Sequence, residues 1–232
     1  MKIVLIGPSG SGKGTAAQKL QMYFGDIPHL STGDILRQNI KENTPLGRIA
    51  KPILDKGQFV GDDIMIELVK NRLSKPDCKN GYILDGFPRS LEQLKALNGF
   101  AKLDVAIELI VNRAEIFRRL VSRVNCVNKD CSSVFNMQFH NIAEGDICPK
   151  CKKAIVARRD DDTNEKIESR LNAYEKYASQ MSAAYKQQGI LLPVKIEDHF
   201  KPIHTYEKIK EGLIEMGFKP APPKASTTTI RR

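Results

Sequence analysis

Lys2-Ile3-Val4-Leu5-Ile6-Gly7-Pro8-Ser9-Gly10-Ser11-Gly12-Lys13-Gly14-Thr15 decides how the rest of this 232-residue chain is read. A short aliphatic run gives way to glycines and small hydroxyl residues, then to a stretch with helical spacing. Lys2 to Ile6 reads as a strand buried on both faces, because a parallel strand under helices carries no polar alternation. The spacing from Gly7 to Gly12-Lys13 fits a phosphate loop, in which glycines let backbone N–H groups surround phosphate oxygens. A helix expected from about Lys13 to Phe24 adds its positive N-terminal end. The Lys13 ammonium is then placed to reach the distal phosphates of a bound nucleotide. One departure from the pattern is Gly14 directly after the lysine, with the hydroxyl one position later at Thr15. A plain Gly/Ser turn is the bland alternative, and the strand before it and helix after it argue against that.

The alternation continues along the chain. His29-Leu30, Tyr82-Ile83-Leu84, Val105 to Val111 and Ile190 to Ile196 are further strand candidates. Helical stretches lie between them: one capped by Ser31 or Thr32, one opened by Asp62-Asp63, one over Ala114 to Val124 and one over Asp161 to Gln188 before Gly189. Tyr206 to Met216 is the last. Short strands separated by helices predict an α/β fold around a parallel sheet. From Asn125 to Arg158 the periodicity fails, which reads as a small inserted subdomain. Beyond Phe218, three prolines and three threonines read as a disordered basic tail.

The net charge is +10, from 37 basic and 27 acidic residues. Lys219, Lys224, Arg231 and Arg232 in the tail account for part of it. Aromatic content is 6% with no tryptophan, which offers little to a base-stacking surface. The charge is therefore as compatible with small phosphorylated ligands as with nucleic acid. No apolar run approaches the ~20 residues of a membrane span. No charged leader or cleavage site precedes the first strand, so membrane and secreted classes are not expected. Of five cysteines, Cys126, Cys131, Cys148 and Cys151 cluster in the insert, while Cys78 stands alone in a polar stretch. Such a cluster favours a metal over disulfides when no leader is present. Cys148-Pro149-Lys150-Cys151 makes a tight knuckle, and four thiolates around tetrahedral Zn²⁺ would form a closed, structural site. Reduced thiols, or His140 in place of one cysteine, are the alternatives.

Gly12-Lys13-Gly14-Thr15 resembles the nucleoside monophosphate kinases, and further segments narrow the resemblance to the adenylate kinase family. Ser31-Thr32-Gly33-Asp34-Ile35-Leu36-Arg37 is similar to the family's AMP-side helix start, and Asp85-Gly86-Phe87-Pro88-Arg89 with Gln93 to its second signature. Arg119 and Arg123 precede the insert, and Arg159 and Arg170 follow it, as in the family. The resemblance implies a P-loop NTPase-like, five-stranded parallel sheet flanked by helices, with a core at 1–30, 61–122 and 161–217. It implies an AMP-binding insertion at 31–60 and a zinc-containing lid at 123–160, leaving 218–232 as tail. The implied reaction is Mg²⁺-dependent, reversible transfer of the ATP γ-phosphoryl to AMP, giving two ADP.

The resemblance also implies roles. Gly10, Ser11, Gly12, Lys13, Gly14, Thr15, Arg119, Arg123 and Lys201 would bind ATP. Thr32, Arg37, Gln58, Phe59, Val60, Gly86, Phe87, Pro88, Arg89, Gln93, Arg159 and Arg170 would bind AMP. Lys13, Arg89, Arg123, Arg159 and Arg170 would neutralise the phosphoryl in flight, and Asp85 would hold Mg²⁺ through water. Zn²⁺ on Cys126, Cys131, Cys148 and Cys151 would stiffen the lid. The expected protein is a cytoplasmic monomer acting on ATP, AMP and ADP, without nucleic-acid or membrane partners. The pattern Arg-x-Asp-Asp fits from Arg158 or from Arg159, and the distance to Arg170 favours Arg159. Two departures are the four residues between Cys126 and Cys131, where the family usually has two, and Glu197-Asp198-His199 in place of Asp-Gly beside Lys201. Rival readings are a kinase for UMP, CMP or GMP, and a basic zinc-ribbon protein that binds nucleic acid.

Overall fold

A computed structural model describes residues 1–25, 27–55, 60–128, 131, 133–159, 162–197 and 202–220. In chain order the first half runs β1 (Lys2–Ile6), α1 (Lys13–Tyr23), β2 (His29–Ser31), α2 (Thr32–Lys41), α3 (Pro45–Asp55), α4 (Asp62–Leu73), β3 (Tyr82–Asp85) and α5 (Leu91–Phe100). The second half runs β4 (Val105–Ile110), α6 (Arg113–Val121), β5 (Arg123–Cys126), β6 (Val134–Asn136), α7 (Met137–His140), β7 (Val156–Ala157), α8 (Asn164–Gln187), β8 (Leu191–Lys195) and α9 (Pro202–Glu215). No helix among the described residues is long and apolar enough to cross a membrane.

Five strands form a parallel sheet in the order β2-β3-β1-β4-β8. The period-two alternation of β1 feeds two cores at once. Val4 and Ile6 pack on one face with Leu68, Leu84, Leu97 and Tyr185. Ile3 and Leu5 pack on the other with Leu20, Ile107, Ile209 and Leu213. A strand so enclosed must be apolar throughout, which is why its sequence carries no polar alternation.

The topology also fixes where a ligand can sit. From β1 the chain crosses to β2 on one side, and from β3 it crosses back over β1 to β4. This reversal opens a crevice beyond the carboxyl ends of β1 and β3, the place where open α/β sheets bind ligands. Leu5 pairs with Asp85, and Asp85 pairs with Ser31. The loop after β1, the Asp85–Arg89 turn and the start of α2 therefore lie side by side.

The insert folds as an antiparallel sheet in the order β6-β5-β7 over a small core of Val124, Cys126, Cys148 and Val156. Several boundaries differ from the sequence reading. The helix expected to Val124 stops at Val121, because Arg123–Cys126 must be extended to pair with both β6 and β7. The helix expected from Asp161 begins at Asn164, where the Thr163 hydroxyl accepts from Lys166 N at 3.4 Å. Ser31 occupies the N-cap of α2 without a side-chain cap bond. Helices α3 and α5 went unrecognised in the sequence. Cys78, read as lying in a polar loop, is buried in the core, with Arg72 Nη1 donating to its sulfur at 3.0 Å.

Candidate active site

The loop from β1 to α1 turns through residues with positive φ, 84° at Gly10 and 98° at Gly12, which L side chains rarely adopt. Lys13 folds back over it, and its Nζ donates to Gly7 O at 2.9 Å and Pro8 O at 2.8 Å. Part of the stem remains accessible, but the ammonium is enclosed. Its pKa falls to about 8, chiefly by desolvation; Asp85 opposes the shift, and Arg89 and Arg123 add to it.

Across the crevice, Asp85 ends β3. A Cβ at Gly14 would lie 3.8 Å from Asp85 Oδ2, an ordinary contact, so the carboxylate faces the first turn of α1. His29 Nε2 stands 3.4 Å from the same oxygen. Burial alone would raise the Asp85 carboxyl, but the His29 bond and the Lys13 charge outweigh it and hold the group below its ordinary value.

The turn that follows is built around Gly86. At φ 84° its added Cβ would lie 2.7 Å from Thr32 Oγ1 and 2.9 Å from Arg89 Nη2. Its carbonyl accepts from the Thr32 hydroxyl at 3.1 Å and from Arg89 Nε at 2.7 Å. Arg89 is accessible from the open crevice yet crowded by protein on its other sides. Desolvation lowers its pKa first, Asp85 opposes that, and Arg170 lowers it further. Phe87 belongs to the hydrophobic core, so only its backbone can face a ligand.

Gln93 is buried, and its amide is already engaged. Its Oε1 accepts from Arg89 N at 2.7 Å, and its Nε2 donates to Asp62 Oδ1 at 2.6 Å. The Ser90 hydroxyl donates to the other Asp62 oxygen. Arg37 pairs with Asp34 one turn before it, both exposed, a contact of ~0–1 kcal/mol that a phosphate can displace. Val60 is half-buried. Gln58, Phe59 and Lys201 lie outside the described residues. A cavity of about 440 Å³ lined by Ile35, Leu46, Leu68 and Arg72 touches none of the expected nucleotide-binding residues among those described.

On the insert side the geometry converges on Asp162, whose side chain is fully buried. Arg123 grips it in bidentate fashion, Nε to Oδ2 at 2.7 Å and Nη2 to Oδ1 at 2.6 Å. Arg170 Nη2 adds a bond to Oδ1 at 2.9 Å, and Arg158 Nη2 donates to the Asp162 main-chain oxygen at 3.0 Å. Burial would raise this carboxyl, but Arg123 and then Arg170 hold it low. Arg159, half-buried, accepts from Asp162 N at 3.0 Å through its own carbonyl. Arg119 Nε donates to Glu115 at 2.6 Å. Neither Asp162, Glu115 nor His29 was singled out from the sequence. Asp162 was visible only as one acid within the Arg-x-Asp-Asp run, assigned to a helix it precedes.

The sulfurs of Cys126, Cys131, Cys148 and Cys151 all lie within 4.8 Å of one another. The backbone N–H groups of Asn128, Ser133 and Lys153, each two residues past a cysteine, bond to the sulfurs of Cys126, Cys131 and Cys151. Burial pushes Cys126 up, while the Ser133 hydroxyl, 3.2 Å away, and its N–H draw Cys131 down. The longer Cys126–Cys131 loop thus still closes the cluster. His140 is not part of it; its Nδ1 accepts from Asn136 N at 3.1 Å.

A phosphate loop at the end of β1, an acid at the end of β3 and arginines from several elements define a P-loop nucleotide kinase. The adenylate kinase family model matches residues 5–190. Adenylate kinase of Clostridium kluyveri is 42% identical over 219 residues, covering 92% of this chain and 99% of its own length. Those of Clostridium beijerinckii and Methanocella arvoryzae are 42% and 40% identical over 199 residues, each covering 84% of this chain and 90% of their own. The chain belongs to the adenylate kinase family. It is an ATP:AMP phosphotransferase.

The Lys13 environment sets a pH dependence. A polyphosphate favours the charged ammonium, so binding must raise a pKa that stands at about 8 in the free protein. ATP binding is expected to take up a proton above pH 8, beyond the phosphate's own pKa of ~6, and to weaken as pH rises through about 8. Calorimetry in two buffers of different ionisation heat measures this; no uptake between pH 8 and 9 would contradict the placement of Lys13. For Asp162→Asn, kcat is expected to fall by about tenfold or more, because Arg123 and Arg170 lose their shared anchor. Steady-state kinetics at saturating ATP decides it, and an unchanged kcat would reject the anchor.

Proposed function

We propose that the γ-phosphoryl passes to AMP between the phosphate loop and the arginines of the insert, with residues 123–160 acting as a lid and 31–60 as the AMP-side insertion on a core of 1–30, 61–122 and 161–217. The observation that supports this most is geometric: Lys13 folds over the phosphate loop, Arg89 is held on the Gly86 turn beside it, and Asp162 gathers Arg123 and Arg170 on the insert side. Cations from separate elements crowd into one crevice, which makes sense where they share a polyphosphate.

Phosphoryl transfer calls for alignment and charge neutralisation more than for a covalent nucleophile. In the proposed mechanism the loop N–H groups from Gly10 to Thr15 hold the ATP phosphates, and Lys13 leaves its own loop carbonyls to reach the distal ones. Arg37 and Arg89 fix the AMP phosphate. Arg123 and Arg159 move in with the lid to join Arg170 on α8, and the three meet the equatorial oxygens as charge spreads over them. Arg119 and Lys201 complete the donor side. Gln93 still has one amide hydrogen and one lone pair for the AMP base, and Thr32 lines the same pocket through its hold on Gly86. Val60 borders it, Gln58 and Phe59 keep their sequence-based assignment to AMP, and Gly86, Phe87 and Pro88 contribute backbone.

Asp85 fits Mg²⁺: it is ionised, faces α1, and suits an ion that keeps several waters. When bound, that ion neutralises charge on the β- and γ-phosphates. The four thiols fit structural Zn²⁺ in number, spacing and N–H support. The lid core is a few side chains, so a metal worth ~10–16 kcal/mol would supply much of its folding energy. A monomer in a reducing cytoplasm completes the reading, since free thiols persist there.

Two outcomes follow. With Mg²⁺, ADP should form from ATP and AMP and be lost in Lys13→Ala, whereas UMP, CMP and GMP give little; comparable turnover with another acceptor would overturn the base assignment. Stripping zinc should lower the melting midpoint by at least ~5 °C, about 1–2 kcal/mol at this chain length, with a smaller effect on turnover in the cold. Calorimetry of the metal-free protein checks it, and an unchanged midpoint counts against the site.

A further inference from the structure

Glu115 is a buried carboxylate to which the chemistry above gives no task. It lies in the first turn of α6, where its backbone N–H donates to Asn112 Oδ1 at 2.7 Å. Asn112-x-x-Glu115 has the form of a capping box, but the carboxylate faces down the helix to two consecutive arginines. Its Oε1 accepts from Arg119 Nε at 2.6 Å, and its Oε2 accepts from Arg118 Nε at 3.0 Å and Nη2 at 2.5 Å. Only 2% of the Glu115 side chain is exposed.

Arg118 continues outward from this pairing to the lid. Its Nη1 donates to Gln138 Oε1 at 2.8 Å, and its guanidinium lies 5.5 Å from the centre of the Phe139 ring. Both residues belong to α7, in the lid. Asn136 caps that helix through Oδ1 and reaches back with Nδ2 to Arg119 O at 3.3 Å. Met137 N also donates to Ser122 O at 2.8 Å, just past the end of α6. One enclosed carboxylate therefore stands between the lid's helix and an arginine expected to meet ATP.

We propose that Glu115 is the positioning residue that aims Arg119 at ATP, and that Arg118 transmits the position of α7 to it, so that lid placement and donor-side affinity change together. Charge-assisted bonds to two planar guanidinium groups are directional. A shift of α7 that draws on Arg118 must therefore redistribute the bonds on the shared carboxylate. The inference rests on the ATP-side reading of Arg119.

The test uses the full chain with its metal, comparing wild type, Glu115→Gln, Glu115→Asp and Arg118→Ala. Glu115→Gln is expected to raise KM for ATP about tenfold while KM for AMP stays within about twofold, with Glu115→Asp recovering part of the loss. Arg118→Ala is expected to raise KM for ATP severalfold and to speed amide exchange over residues 134–140. Equal changes in both KM values, or a lowered melting midpoint with neither KM changed, would reduce Glu115 to a structural role and overturn the proposal. Should Glu115→Gln fail to fold, the ratio of the two KM values in Arg118→Ala decides alone: a raised ratio supports the coupling and an unchanged one rejects it. An inactive wild type would instead overturn the ATP-side reading, and this proposal with it.

Discussion

Repulsion among like charges is the constraint on which this molecule is built. In the proposed mechanism Lys13, Arg89, Arg123 and Arg170 all come within reach of one phosphate chain, and before it arrives their charges stand near one another. Desolvation already lowers Lys13 and Arg89, and the neighbouring arginines lower them further. Two carboxylates make the free state tolerable. On the core side the Asp85 charge opposes the lowering at both Lys13 and Arg89, and Asp162 binds Arg123 and Arg170 together on the insert side. A buried acid held by two arginines is costly to leave half-paired. The arginines therefore stay arranged until something with more negative charge competes for them.

The parallel sheet makes this crowding possible. Carboxyl ends of adjacent strands point the same way, so residues far apart in sequence gather at one edge without long side chains. The pairings Leu5 with Asp85 and Asp85 with Ser31 set the phosphate loop, the Gly86 turn and α2 next to each other. Both faces of β1 are covered by core side chains, so its register cannot slip without moving apolar residues out of their layers. Precision at the site is thus inherited from packing beneath it.

Much of this was legible in the sequence, and for a physical reason. A fully enclosed parallel strand followed by a glycine-rich turn and a helix leaves a pattern that few other structures produce, and five apolar runs marked the five strands. The cysteines announced their cluster because metal ligation demands spacing as well as residue type. What escaped was whatever depends on partners distant in sequence. Val124 continued a helical period but was claimed by strand pairing with Phe135. Asp162 looked like one acid among several, and its role appears only when Arg123, 39 positions away, is folded against it. Glu115 carried a capping-box signature that pointed to the wrong partner. Gln93 was singled out for a ligand, and the structure first gives it to Asp62 and Arg89.

The central claim is that these cations steer one phosphoryl group directly from donor to acceptor. Following isotopically labelled γ-phosphate of ATP by phosphorus NMR, in the presence of AMP, tests it most directly. The account predicts that the label appears in the β-phosphate of ADP, with none accumulating as inorganic phosphate. Label released to water at a comparable rate would contradict it, because the same cluster would then be activating ATP without holding an acceptor in line.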